Sequence, residues 1–348
     1  MITIKELRDL AVHAVKRTAP ENYTVENIDS AFAGALNEIA GSINKFNKSK
    51  YDIFEIMIEQ IDSAVPNKVI DALSVFADVQ QVGQNQKAVF KRRVGKNRAR
   101  KFLTQVGVSG VYETFRLDNT SFTVEPKAVG GAVTIDFERM LDGAESLPDV
   151  LQVVQEGLVD AVYNEVQKAL IAAASVTSAP AANRVIDSSF NAAHMVNLIN
   201  IAKAYGGSAV IWAPPEFISA MGPDAIVPGT SNYAGIYSPD DIESIHMNGK
   251  IRIFRGTPVV EIPQSYTDES NTTTWINPQY AYILPTGGEK VVKVVLEGAT
   301  QMWDRLNADQ SIEINAYKKL GVAILAYNNW CIYRNTGISD TTGFPYGV

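Results

Sequence analysis

Eight basic side chains, Lys87, Lys91, Arg92, Arg93, Lys96, Arg98, Arg100 and Lys101, fall within fifteen residues that contain no acid. Such a run can hold phosphates, dock on an acidic protein surface or stand as a solvated strand face. Only Phe90 and Phe102 flank it, so the interleaved rings that stack nucleobases are nearly missing. The 348-residue chain has 31 Lys+Arg and 38 Asp+Glu, giving 31 − 38 = −7, and the residues outside the run therefore carry −7 − 8 = −15. Identical copies thus hold opposite charges in different places. Docking onto a neighbouring copy through Lys91, Arg92, Arg93, Lys96, Arg98 and Arg100 is the expected use, because complementary potentials fix register during association.

Other chemistry has less to stand on. His13, His194 and His246 lie far outside metal-ligand spacing, and neither HExxH nor CxxC occurs, so no metal site is assigned. No phosphate-binding GxxxxGK[ST] or GxGxxG turn is present; Gly206-Gly207 is expected to stop a helix, and no cofactor is assigned. Cys331, the single cysteine, sits between Trp330 and Ile332-Tyr333 and reads as a buried, inert thiol rather than a nucleophile. The pairs Asp240-Asp241 and Asp268-Glu269 fall in polar loops, where solvated turns or a weak cation site fit better than acid/base catalysis. No catalytic residue is assigned, and no enzyme activity is expected. One cysteine excludes an internal disulfide, the start MITIKELRDLAVHAVKR lacks a signal-peptide core, and no apolar run spans a bilayer. A soluble protein of a reducing cytoplasm, without a membrane partner, is expected. Its pI of about 5.2 excludes a generally basic nucleic-acid coat.

The elements that must position the basic run follow from periodicity. Residues 2 to 82 read as helices: Leu7, Leu10, Ala14 and Val15 in one, Ile28, Phe32, Leu36, Ile39 and Ile43 in a second. A third starts near Tyr51, is expected to break at Pro66 and resumes through Ile70, Leu73 and Phe76. Lys87 to about Ile135 reads as a long two-stranded excursion, with too few bulky apolar residues for its own core. Leu147 to Ala174 is the strongest helix, with Leu151, Val154, Leu158, Val162, Val166 and Ala173 on one face. It is expected to lie across a sheet built partly from 290–296 and 312–326. Between them come a helix over 192–205, a buried strand over 209–212, a short helix after Pro214-Pro215, and strands at 251–254, 259–262 and 275–284. The end reads as strands at 290–296, 312–317 and 320–326.

The order of these parts resembles the major capsid protein of tailed bacteriophages with the Hong Kong 97-type fold. Val210-Ile211-Trp212-Ala213-Pro214 followed by Phe217-Ile218 looks like that family's strand-then-helix in its axial domain. Arg255-Gly256-Thr257-Pro258-Val259-Val260 with Ile262-Pro263 is similar to a later strand and turn, and Asp309 to Arg334 to its closing strands. The resemblance covers roughly residues 85 to 335. It implies an α+β fold: a helical N-terminal arm at 1–84, an extended β loop at 85–136, a peripheral domain with a spine helix at 137–185 and 286–348, and an axial domain at 186–285. It implies a structural shell protein, many copies closing as hexamers and pentamers into an icosahedral or prolate head. Its partners would be a portal, scaffolding or decoration proteins, and packaged double-stranded DNA without sequence-specific contacts; its place would be the virion, after synthesis in the host cytoplasm. The chain starts at Met1, so residues 1–84 are expected to stay in the mature shell. Some relatives crosslink a loop Lys to an Asn; Lys96, Lys101, Asn328 and Asn329 are present, and no crosslink is assigned. Two alternatives stand beside this reading: an encapsulin-like compartment shell, and a nucleic-acid-binding module using 87–101.

Overall fold

The apolar stripe beginning at Phe46 builds one helix, α1 (Ile43–Leu73), in the computed structural model, which describes 42–92, 120–135, 147–175, 180–226, 253–287, 290–306, 312–324, 329–343 and a few residues before 42. Ser42 caps it: its backbone is extended and its Oγ accepts from Lys45 N at 3.3 Å. The expected break at Pro66 does not occur. A helical proline costs about 3 kcal/mol, whereas Val69 and Leu73 beyond it, both 1% exposed, gain about 1.5–3 kcal/mol each from burial. The stripe outweighs the proline. Of the two helices expected before Ile43, only scattered residues are described, and those are helical.

The helical reading up to Val82 fails at its end. Ser74 N–H closes α1 on Ile70 O, and the chain turns into strand β1 (Ala77–Val82). That strand lies parallel to β10 (Val292–Leu306), which pairs antiparallel with β11 (Ile312–Ile324), which in turn pairs with β4 (Lys127–Ile135). The order is β1-β10-β11-β4. Two corrections arise here. The excursion expected over 87–135 contributes β4 to this sheet, so among the described residues the ribbon proper is β2 (Val89–Arg92) against β3 (Thr120–Thr123). Its base is not coreless, since Ala88, Phe90 and Val124 bury themselves against Val295. Second, β11 is one strand rather than two. The polar pair Lys318-Lys319 looks like an interruption in sequence, but Lys318 is 5% exposed and ion-paired to Asp62.

The long helix expected from Leu147 is present as α2 (Leu147–Ser175), packed against β11, β4 and α1. Leu158, Val162, Val166, Leu170 and Ala173 form its buried stripe, as the periodicity requires. On another side two buried amides fasten a loop: Asn164 Nδ2 donates to Trp275 O at 2.8 Å, and Gln167 exchanges bonds with Asn277 N and O at 2.9 and 3.1 Å. This explains why the strand expected from Trp275 begins only at Tyr280, in β9 (Tyr280–Pro285). Residues 275–277 give their backbone groups to Gln264, Asn164 and Gln167 instead of to a ladder.

The second sheet has the order β5-β12-β9-β6-β8-β7, with β5 (Arg184–Asp187), β6 (Ala209–Ala213), β7 (Ile253–Phe254), β8 (Thr257–Glu261) and β12 (Cys331–Asn335). Helices α3 (Ala192–Gly206) and α4 (Pro215–Ile226) supply a core of Met195, Leu198, Phe217 and Met221. Gly207, at φ 79°, stops α3 as expected. Strands β5 and β12 were not foreseen: β12 returns after the first sheet to sit between β5 and β9. Trp212 joins the two sheets, its ring 4.9 Å from Phe76, 5.7 Å from Tyr282 and 6.3 Å from Tyr163.

Replacing Leu158, 7% exposed on α2, with Asp should strand a charge between helix and sheet. The expected loss is several kcal/mol in a denaturant melt, about 3 or more, with no soluble assembly. A melting curve like that of the parent would contradict the packing of α2 on the sheet.

Candidate inter-subunit surfaces

Of the basic residues expected to dock, Lys91 and Arg92 end β2, in register with Ser121 and Thr120. Arg93, Lys96, Arg98 and Arg100 lie outside the described residues, as do His246 and Asp240-Asp241. The described part of the run therefore ends a narrow two-stranded base.

That base is tied to the rest of the fold through a bulge in β10. Glu297 pairs with Lys319 and Gln301 with Tyr317, so residues 298–300 face the single residue Lys318. Gly298 permits this with φ 69°. Asp62, from α1, holds the bulge: it accepts from Thr300 N at 3.1 Å, from Thr300 Oγ1 at 2.6 Å and from the Lys318 ammonium, which also donates to Gly298 O at 3.4 Å. On the neighbouring side the Glu297 carboxylate accepts from Asn85 N at 2.8 Å and from Lys319 Nζ at 3.3 Å. The Asn85 N–H, against partial desolvation and with help from Lys319, holds Glu297 below the usual carboxylate range. One irregular turn of strand thus connects α1, both long strands and the entry to β2.

Beyond the bulge, α1 and the second half of β10 enclose a groove of about 770 Å³. Its apolar lining is Tyr51, Phe54, Ile58, Met302 and Trp303, and its acidic lining Glu55, Glu59, Asp62 and Asp304, with no cation among the described lining residues. Cations reach it from outside: Arg8 sits 3.4 Å from Glu55 and 3.0 Å from Glu59, and Lys50 sits 3.0 Å from Asp304. Tyr51 is 73% and Trp303 48% exposed, a large aromatic surface for one place. Sequence reasoning missed this groove. The spacing of Glu55, Glu59 and Asp62 on one helix face was legible, but Asp304 and Trp303 arrive from a strand more than two hundred residues later.

The other chemistry-bearing residues occupy structural positions. Cys331 is buried, as expected, and desolvation pushes its thiol up to about 12. Asp268 accepts from Ser270, Thr272 and Thr273 and so closes its own loop, held well below the usual range by those bonds. His194 Nδ1 lies 2.8 Å from Asp187 Oδ2, which also accepts from Tyr333 at 2.6 Å. Desolvation pushes the Asp187 carboxyl up, but the bonds from Tyr333 and His194 outweigh it and hold it low. Burial, and then the carboxylate it faces, push the Tyr333 hydroxyl up. Among the described residues no group of three His, Cys, Asp or Glu side chains could hold a metal ion, and no helix is long and apolar enough to cross a membrane.

The family described as "SPbeta prophage-derived putative capsid protein YonB" matches residues 6–330. Among solved structures, the capsid of a native GTA particle superposes with TM-score 0.51 at 12% identity, covering 76% of this chain and 89% of that one. The capsid of the cyanophage P-SCSP1u gives 0.49 at 10% identity, over 74% and 86%. The acid-stable capsid of Helicobacter pylori bacteriophage KHP30 gives 0.49 at 11%, over 76% and 90%. No curated protein matches.

Two outcomes test this geometry. Lys318→Met leaves Asp62 without its cation and should cost about 3 kcal/mol in urea midpoint terms, while Asp62→Leu combined with Lys318→Met should cost less than the two single changes added. For Asp187 the lowered carboxyl means that its contribution is complete above the ordinary Asp value of about 3.9 and is lost as pH falls through the lower folded value. The stability gap between the parent and Asp187→Asn should therefore be widest near neutrality and close toward pH 2; a gap independent of pH would refute it.

Proposed function

The chain belongs to the family of the SPbeta prophage-derived capsid protein YonB and has the Hong Kong 97-type capsid fold, and on that premise we propose that its copies, as hexamers and pentamers, close an icosahedral or prolate head around double-stranded DNA. A structural shell protein, whose place is the virion, is what the family establishes. The finer reading rests on one observation of this chain: the strongly basic run of the sequence begins on a two-stranded base, Val89–Arg92 against Thr120–Thr123, in a subunit whose remainder is acidic. Its own subunit supports it only through the small cluster around Phe90, and in this reading a neighbour supplies the rest.

In this reading residues 1–84 form the arm and 85–136 the extended loop. Residues 137–185 and 286–348 form the peripheral domain and 186–285 the axial domain, with β12 lying in the axial sheet. Lys91, Arg92, Arg93, Lys96, Arg98 and Arg100 meet acidic side chains of the next subunit. DNA is retained by closure rather than by attraction, since the net charge of −7 opposes tight binding to phosphate. A portal and scaffolding or decoration proteins complete the head, and synthesis takes place in the host cytoplasm.

Electron microscopy of the purified chain and of particles from producing cells tests the reading. Closed shells with DNA and a distinct portal vertex are expected. Cargo-filled shells without DNA would select a compartment instead, and a monomer binding DNA with a steep loss of affinity in salt would select a nucleic-acid module.

A further inference from the structure

The groove between α1 and the outer half of β10 is open, aromatic and acid-rimmed, and the chain holds one segment of matching chemistry. We propose that this groove is the receptor for the basic segment 87–101 of a second copy, with an arginine or lysine of that segment lying over Trp303 and Tyr51 and between Glu55 and Glu59. The inference rests on the shell reading above, and it goes beyond that reading by naming the receiving surface.

Three observations carry it. The rim already binds a guanidinium: Arg8, remote in sequence, reaches Glu55 at 3.4 Å and Glu59 at 3.0 Å. Glu55 and Glu59 are 64% and 46% exposed, so that pairing is weak and open to exchange or to a second cation. The aromatic floor is also suited to cations. Lys50 Nζ stands 5.3 Å from the Tyr51 ring centre, and Trp303 is held edge-on by Tyr317 at 5.6 Å with its own ring half exposed. Finally, the charge count favours a basic visitor. Among the described residues Glu55, Glu59, Asp62 and Asp304 pair with Arg8, Lys318 and Lys50, one cation fewer than the carboxylates of the lining. The segment 87–101 brings eight positive charges and no negative one.

The test uses the full chain and two separate cysteine variants, Tyr51→Cys and Arg98→Cys, with Trp303→Cys as a second groove position; the native Cys331 is buried and does not compete. The groove variant and the Arg98 variant are mixed before assembly, and disulfides are then formed with a mild oxidant. A mixed dimer on a denaturing gel, at least about tenfold above that from Tyr266→Cys mixed with Arg98→Cys, supports the proposal; Tyr266 is an aromatic exposed about as much as Trp303 and outside the groove lining. Shells without the mixed dimer overturn it, as does a Tyr51→Cys/Arg98→Cys double variant that crosslinks only within single chains while the separate variants give no mixed dimer. Charge exchange is the second measurement. Glu55→Lys with Glu59→Lys should slow assembly at low salt about tenfold, and adding Arg92→Glu, Arg93→Glu and Arg98→Glu should restore it to within about twofold. No restoration, with the variant subunits still folded, counts against the groove. If the unaltered chain forms no shells, the shell reading itself fails, a result distinct from shells that lack the mixed dimer.

Discussion

A buried lysine opposite a strand bulge is tolerable only if a carboxylate meets it, and Asp62 is that carboxylate. Lys318 faces residues 298–300 in the middle of the longest strand pair, where an unpaired ammonium would cost several kcal/mol. Asp62 comes from α1, so satisfying Lys318 fixes where α1 lies along β10. The same carboxylate takes the Thr300 N–H, which the bulge removes from the ladder, and the Thr300 hydroxyl beside it. With α1 fixed, Phe76 at its exit reaches Trp212, and that ring brings the two sheets together. The groove exists for the same reason: β1 ends opposite Glu297, so past the bulge the outer half of β10 is bordered by α1 rather than by that strand.

The bulge also sets the entry to the basic ribbon. Glu297, immediately before it, accepts from Asn85, and Asn85 begins the turn into β2. Two carboxylates on adjacent sides of one irregularity therefore join α1 and the ribbon base to the same few residues of β10. Surface ion pairs seldom do this, because exposed partners can separate at little cost. Here the side chains of Lys318 and Glu297 are 6% and 8% exposed, so separation would leave charge unsolvated.

Local pattern made much of this legible. The α2 stripe, the Gly207 stop, the buried strand at 209–213 and the inert Cys331 all depend on neighbours close in sequence. The features that escaped depend on partners far away. Lys318-Lys319 looked like a turn because the carboxylate that buries Lys318 lies 256 positions earlier. Pro66 looked like a helix end because the burial gained by Val69 and Leu73 is tertiary. β1 looked helical because its strand character comes from lying beside β10, and Trp275 looked like strand because the amides of Gln167 and Asn164 on α2 are invisible to a local window. The acidic groove was hidden likewise, its two walls being separate lines of text.

The segregation of charge has a physical consequence for a protein that must make the same contact many times. If the basic run lay on the acidic body of its own subunit, the pairing would be intramolecular, favoured by proximity, and would leave no reason to associate. The run begins on a narrow β2/β3 base with only a small apolar cluster under it, and in the proposed contact it meets the body of another copy. Each exposed pair then contributes about 0–1 kcal/mol, weak enough for misplaced copies to dissociate and correct their position. Repetition around a closed shell supplies the stability that one contact lacks. In the contact proposed above, specificity comes from coincidence: a cation meets both a carboxylate and an aromatic face, a combination that Glu55, Glu59, Tyr51 and Trp303 present together in the groove.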